Sequence, residues 1–124
     1  DRFSDATIAY QGYGRGIPIP TLTFMNDCIT GGLTPHKTIS LDIDPKVGLE
    51  RSKRLSKASA PQGELDRIES ESLAFHDAIR KGYLEIAKCN TERITMYDAS
   101  QPLIEIFPQI LLHLLTVIQK HALS

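Results

Sequence analysis

No G-x-x-x-x-G-K-S/T string occurs in these 124 residues, so the Gly-rich cradle and lysine with which P-loop proteins grip a triphosphate are missing from the sequence. Cysteine is scarce. Cys28 and Cys89 lie far apart and lack a C-x-x-C partner, which removes support for a disulfide framework or a zinc site and leaves reduced thiols, buried or idle. His36, His76, His113 and His121 show no metal spacing, so no metal site is expected. Neither sign of charge is in excess: a formal net charge of −1 argues against a broad nucleic-acid surface, and any basic site must be local. The chain opens Asp-Arg-Phe-Ser-Asp rather than with a basic and then an apolar run, so a cytoplasmic protein without a signal peptide is expected. The most apolar stretch, Leu103 to Ile118, is broken by Glu105, Pro108, Gln109 and His113. It falls short of the roughly 20 residues a membrane span needs, so it reads as a core helix and no membrane contact is expected. Internal repeats and low-complexity segments are absent as well. The remaining balance, 41% hydrophobic and 23% charged, fits one globular domain.

What is there begins with Asp1 to Gly16. If Ser4 caps a short helix, Thr7, Tyr10 and Gln11 fall at i, i+3 and i+4, on one face with Arg2 entering beside them. That face offers a hydroxyl, a phenol and an amide next to a fixed cation. A guanidinium fork pairs with phosphate, and a carboxamide donates and accepts at once, as a pyrimidine edge with adjacent carbonyl and N–H demands. The group suits a nucleotide.

The helix from residue 4 to about 12 runs into Gly12, Gly14, Gly16, Pro18 and Pro20, a run expected to be a flexible turn. A second helix is expected from near Thr21 to Gly31-Gly32, with Leu22, Met25, Cys28 and Ile29 on its buried face. Ile39, Leu41 and Ile43 alternate with polar residues as in a strand. Asp44-Pro45 then starts a helix through about Lys57. Ser56 to Gly63 is small and polar, broken by Pro61, and is expected to be an exposed, mobile loop. Leu65, Ile68, Ser72, Phe75, Ile79, Tyr83 and Ile86 mark one long amphipathic helix, and Ile94 to Asp98 reads as a second strand before a terminal helix opened by Ser100 to Pro102. The order implies an α/β fold with a parallel sheet and helices packed outside. Two strands alone make a poor sheet, which points to a partial domain.

The opening string D-R-F-x-D-x-T-x-A-Y-Q-G-x-G-R-G resembles the central motif of bacterial thymidylate kinases, which phosphorylate dTMP with ATP. The likeness continues through Leu33-Thr34-Pro35, Thr38 to Val47, Gly63 to Glu69, Phe75-His76, Gly82-Tyr83-Leu84 and Asp98 to Leu103. It covers the family's C-terminal part. The fold it implies is the P-loop kinase type, a five-stranded parallel sheet flanked by helices, of which about two strands are present here. ATP with Mg²⁺ as donor, a homodimer, and three regions follow from the same resemblance: an acceptor-site helix at 1–16, a lid at 51–64 and an adenine-pocket segment at 98–102.

Taken alone, Asp1 beside Arg2 would be an ordinary surface ion pair. The resemblance instead puts Arg2 on the dTMP phosphate and Asp1 next to the transfer site, orienting Arg2 or a metal-bound water. It places Thr7 and Gln11 on the thymine edge and Tyr10 against the deoxyribose. Ala6 departs from the family's usual D-S-T. Arg15, which could meet a phosphate, reads equally well as an exposed loop residue. The stripe Arg51, Arg54, Lys57 would by itself be a solvated face; by resemblance it belongs to the lid, with Arg51 against adenine and Arg54 toward the ATP phosphates. Arg67 and Glu69 follow the lid, either supporting its closure or paired within a helix. Asp98, Ala99 and Ser100 are assigned to the adenine pocket. Catalytic roles thus fall to Asp1, Arg2 and Arg54. Lacking a P-loop, the chain is expected to be inactive alone. The alternatives are a noncatalytic fragment that only binds nucleotide or a partner subunit, and a kinase for another small phosphorylated acceptor, which Thr7, Tyr10 and Gln11 would distinguish.

Overall fold

The computed structural model describes residues 3–56 and 73–122. Helix α1 (Ser4–Thr7) passes directly into a π-helical segment (Ile8–Gly14). There follow α2 (Ile19–Thr30), β1 (Thr38–Asp42), α3 (Pro45–Ser56), α4 (Leu73–Cys89), β2 (Ile94–Asp98) and α5 (Leu103–Ala122). The strands pair in parallel, Thr38 opposite Ile94 through Asp42 opposite Asp98. Both therefore end on an aspartate at the same edge, the edge where open parallel sheets take ligands. The α/β order and both strands agree with the sequence pattern, whereas the expected loop from 57 to 63 and the start of the long helix at Leu65, Ile68 and Ser72 lie outside the described residues.

Local chemistry explains most boundaries. Asp44 begins α3 as expected: its Oδ1 accepts the Lys46 amide at 2.8 Å and its carbonyl accepts the Gly48 amide at 3.0 Å. Gly31 ends α2 with φ of 65°, a left-handed conformation that a residue with a Cβ adopts reluctantly. Ser4 does not cap α1. Phe3 holds the cap position without a side-chain bond, and Ser4 is already helical. The helix also runs further than expected, through Gly14, because the wider π turn, closed by i to i+5 bonds, carries the glycines inside it.

The tightest packing joins the π segment to α4 through glycines. A Cβ on Gly82 would stand 2.8 Å from Cβ, Cγ and Cδ2 of Tyr13, and one on Gly14 would stand 3.0 Å from the Phe75 ring. Gly82→Ala gains about 1 kcal/mol of helix propensity, but overpacking costs about 1–3 kcal/mol. The clash is with the root of Tyr13 rather than its flexible tip, so the variant is expected to be less stable; a higher melting temperature would show the contact to be loose.

Among the described residues the core is small: Ala9, Leu22, Ile79, Ala87, Ile94 and Ile106. Expectations of burial on α2 and α5 are corrected. Of the α2 face only Leu22 is buried, with Met25, Cys28 and Ile29 exposed. Leu41 faces out of the sheet at 59% exposure. Helix α5 is not a core helix in this chain, since Ile106 alone is buried while Leu103, Ile104, Leu112 and Ile118 are exposed. Periodicity tells which face of an element is apolar, and two strands offer too little surface to cover those faces. By length and composition α5 could cross a membrane, yet a Tyr97 Oη to His113 Nδ1 hydrogen bond of 3.0 Å ties its middle to β2.

Candidate functional site

At the C-terminal end of β2 the chain turns sharply on the carboxylate of Asp98, whose Oδ1 accepts both the amide and the hydroxyl of Ser100, at 2.9 and 2.5 Å. The Ala99 amide donates to the Asp42 carbonyl at 2.7 Å, extending the ladder one step past the strands. Helix α3, launched by Asp44-Pro45, brings Arg51 over this turn. Its Nη1 donates to the Ala99 carbonyl at 2.6 Å and its Nη2 to the Ser100 carbonyl at 2.8 Å. Four of the residues singled out from the sequence, Arg51, Asp98, Ala99 and Ser100, are thus brought together across some 48 positions. Arg54 lies exposed one turn further along α3.

The Ser100 side chain, then its amide, and the Arg51 and Arg80 cations hold the Asp98 carboxyl below its ordinary range. A carboxyl lowered on folding adds stability above the unfolded carboxylate range, and that contribution is lost as pH falls through the lowered folded value. Acid titration followed by NMR is therefore expected to release the Ser100 amide only below the pH at which ordinary aspartates protonate. A Ser100 amide that shifts together with exposed carboxylates would contradict this.

Beside the turn, Arg80 of α4 grips Asp42 through a fork, Nε to Oδ1 at 2.9 Å and Nη2 to Oδ2 at 3.0 Å, with Asp44 at 3.7 Å. The Asp42 bond, ahead of the neighbouring acids, raises the Arg80 pKa further. A second fork joins Arg93 to Asp5, at 2.8 and 3.0 Å, with Thr38 Oγ1 at 3.0 Å, and ties α1 to the start of the sheet. Neither pair was singled out from the sequence. Their partners are 38 and 88 residues apart, and no local spacing signals such a contact.

On the acceptor side, Thr7 is exposed at the end of α1, while Tyr10 and Gln11 are half-buried in the π segment. A shared face for Thr7, Tyr10 and Gln11 requires 3.6 residues per turn. In the wider π turn four residues still come close to a full revolution, so Gln11 stays near the line of Thr7, while three residues fall well short and Tyr10 is turned off it. Tyr10 packs edge-on against Tyr83, ring centroids 6.4 Å apart. Arg15, exposed as one reading expected, is not without a partner: its Nη1 donates to Gln11 Oε1 at 3.3 Å. Asp1, Arg2, Lys57, Arg67 and Glu69 lie outside the described residues, as does the rest of the expected lid. Both cysteines are free and exposed, which removes the buried reading for either.

The model of the thymidylate kinase family matches residues 1–110. Among curated relatives, the thymidylate kinase of Maridesulfovibrio salexigens is 46% identical over 110 residues, 89% of this chain and 51% of its own. That of Kosmotoga olearia is 40% identical over 120 residues, 97% of this chain and 54% of its own. That of Geotalea uraniireducens is 47% identical over 102 residues, 82% and 47% of the two chains. The chain spans about half the length of the curated relatives it matches. With the family's motifs in order along it and the match covering residues 1–110, this chain belongs to the thymidylate kinase family.

Proposed function

We propose that this chain supplies the acceptor face, part of the lid and the adenine side of an enzyme that transfers the γ-phosphoryl group of ATP to the 5′-phosphate of dTMP, giving dTDP. The observation that carries the reading is the Arg51 fork on the carbonyls of Ala99 and Ser100. With two of its N–H donors on the backbone, the guanidinium is held as a flat cation at the ligand edge of the sheet, suited to lie against a base. Arg54, one turn on, carries a charge toward the donor phosphates, where a positioned cation stabilises charge spread over the transferred oxygens. Thr7 and Gln11 hydrogen-bond the thymine edge, Tyr10 packs on the deoxyribose, Arg2 holds the acceptor phosphate, and Asp1 sits beside the transfer site, orienting Arg2 or a metal-bound water.

Mg²⁺ belongs to this reading as a companion of ATP. Among the described residues no three His, Cys, Asp or Glu side chains are grouped to hold a metal, so these residues build no cage for it. Bound with the triphosphate, the ion neutralises phosphate charge. The exposed apolar side chains Phe24, Met25 and Ile29 on α2 support pairing of two copies in a homodimer, and a cytoplasmic setting goes with the same reading.

The test joins residues 1–124 behind the N-terminal half of the Kosmotoga olearia relative and assays ADP release with ATP and Mg²⁺. Turnover is expected with dTMP and not with AMP or GMP. A folded fusion that turns over none of these, or that prefers a purine nucleotide, would overturn the reading.

A further inference from the structure

The Arg15 contact with Gln11 does more than fill space. A carboxamide carries its acceptor on one side and its donors on the other, and an unrestrained glutamine turns over to suit either arrangement of a partner. A guanidinium has donors only. Arg15 Nη1 takes one lone pair of Gln11 Oε1 at 3.3 Å, and the opposite amide orientation would set an NH₂ group against a cation. Arg15 is itself held: its Cζ lies 5.9 Å from the centroid of the Phe75 ring, and that ring sits against Gly14 where a Cβ would leave no room. The backbone folds back at the same point, with the Gly16 amide on the Gly12 carbonyl at 2.9 Å and the Ile17 amide on the Gln11 carbonyl at 3.0 Å.

We infer that Arg15 is a positioning residue that locks the Gln11 amide in the one orientation able to pair with a 4-keto pyrimidine, and so sets the acceptor preference for thymine or uracil over cytosine. This rests on the reading above that Gln11 meets the base edge. The remaining lone pair of Oε1 accepts from the N–H at N3 and the Nε2 hydrogens donate to the adjacent carbonyl. Cytosine reverses both partners: its N3 accepts and its exocyclic amine donates. It needs the amide turned over, the orientation Arg15 opposes.

The experiment compares kcat/KM for dTMP and dCMP in an active chain carrying residues 1–124, the fusion described above serving if the chain alone is inactive. Arg15→Leu is expected to raise the dCMP to dTMP ratio about tenfold, the size of a lost charged hydrogen bond. The kcat at saturating dTMP should stay close to that of the parent. Arg15→Lys, which keeps a donating cation, should recover part of the discrimination. A ratio unchanged in Arg15→Leu, with both nucleotides losing equally or not at all, overturns the proposal. Gln11→Leu separates the two levels. If it leaves dTMP kinetics untouched, the reading of Gln11 fails and the Arg15 role with it; if it weakens dTMP while Arg15→Leu leaves the ratio alone, only the Arg15 role fails.

Discussion

The 124-residue chain by itself, mixed with ATP, Mg²⁺ and dTMP, is expected to release no ADP that depends on dTMP. Phosphoryl transfer is chiefly a matter of holding donor and acceptor in line and neutralising charge between them. The sequence carries no Gly-rich P-loop and none of its Lys-Ser/Thr pair, so nothing in it cradles the β- and γ-phosphates. The Arg51 fork is already committed to two backbone carbonyls, and Arg54 would act on a donor that is loosely placed. Packing leads to the same expectation. Leu41, Phe24, Ile104 and Leu112 are all more than half exposed, and apolar surface left open in this way favours association over a stable monomer. A coupled assay for ADP on the purified chain, its mass verified, checks the point. dTMP-dependent turnover at the rates of ordinary kinases, about 1–100 per second, would show that the transfer site is complete without a P-loop.

The second large effect is expected from Arg2→Lys in the active fusion. A guanidinium meets a phosphate through two parallel N–H donors, whereas an ammonium offers a point charge on a flexible stem. Exchanging one for the other keeps the charge and loses the fork. The loss in kcat/KM for dTMP is expected to be about 1.5–3 kcal/mol, roughly ten- to a hundredfold, the range for hydrogen bonds to charged groups. The KM for ATP should change little, because the donor is bound at the other end of the site. Unchanged dTMP kinetics would remove Arg2 from the acceptor phosphate, and an equal loss for both substrates would mark it as a residue of general stability.

Much of this protein was legible along the chain. Period-two alternation marked β1, apolar spacing of three and four marked α4, and Asp44-Pro45 marked the start of α3, because each of these depends on neighbours in sequence. The motif from Asp1 to Gly16 pointed to a nucleotide and to the family that the comparisons show. Burial on α2 and along α5 was not legible, since the side chains that would cover an apolar face lie elsewhere in sequence. The π winding from Ile8 to Gly14 was equally hidden. Gly12, Gly14 and Tyr13 pack there against α2 and α4, and the spacing of Thr7, Tyr10 and Gln11 says nothing of those contacts.

The sequence by itself determined which segments are helix and which strand, apart from the π winding, together with their order and the residue types available to chemistry. Only the tertiary structure decided that Arg51 closes on Ala99 and Ser100, that Arg80 and Arg93 clamp Asp42 and Asp5, and that Arg15 holds the Gln11 amide. Three of these contacts span 38 to 88 residues and form only once the helices pack beside the paired strands. The fourth, Arg15 on Gln11, is local in sequence, yet its geometry depends on the π turn and on Phe75 from α4.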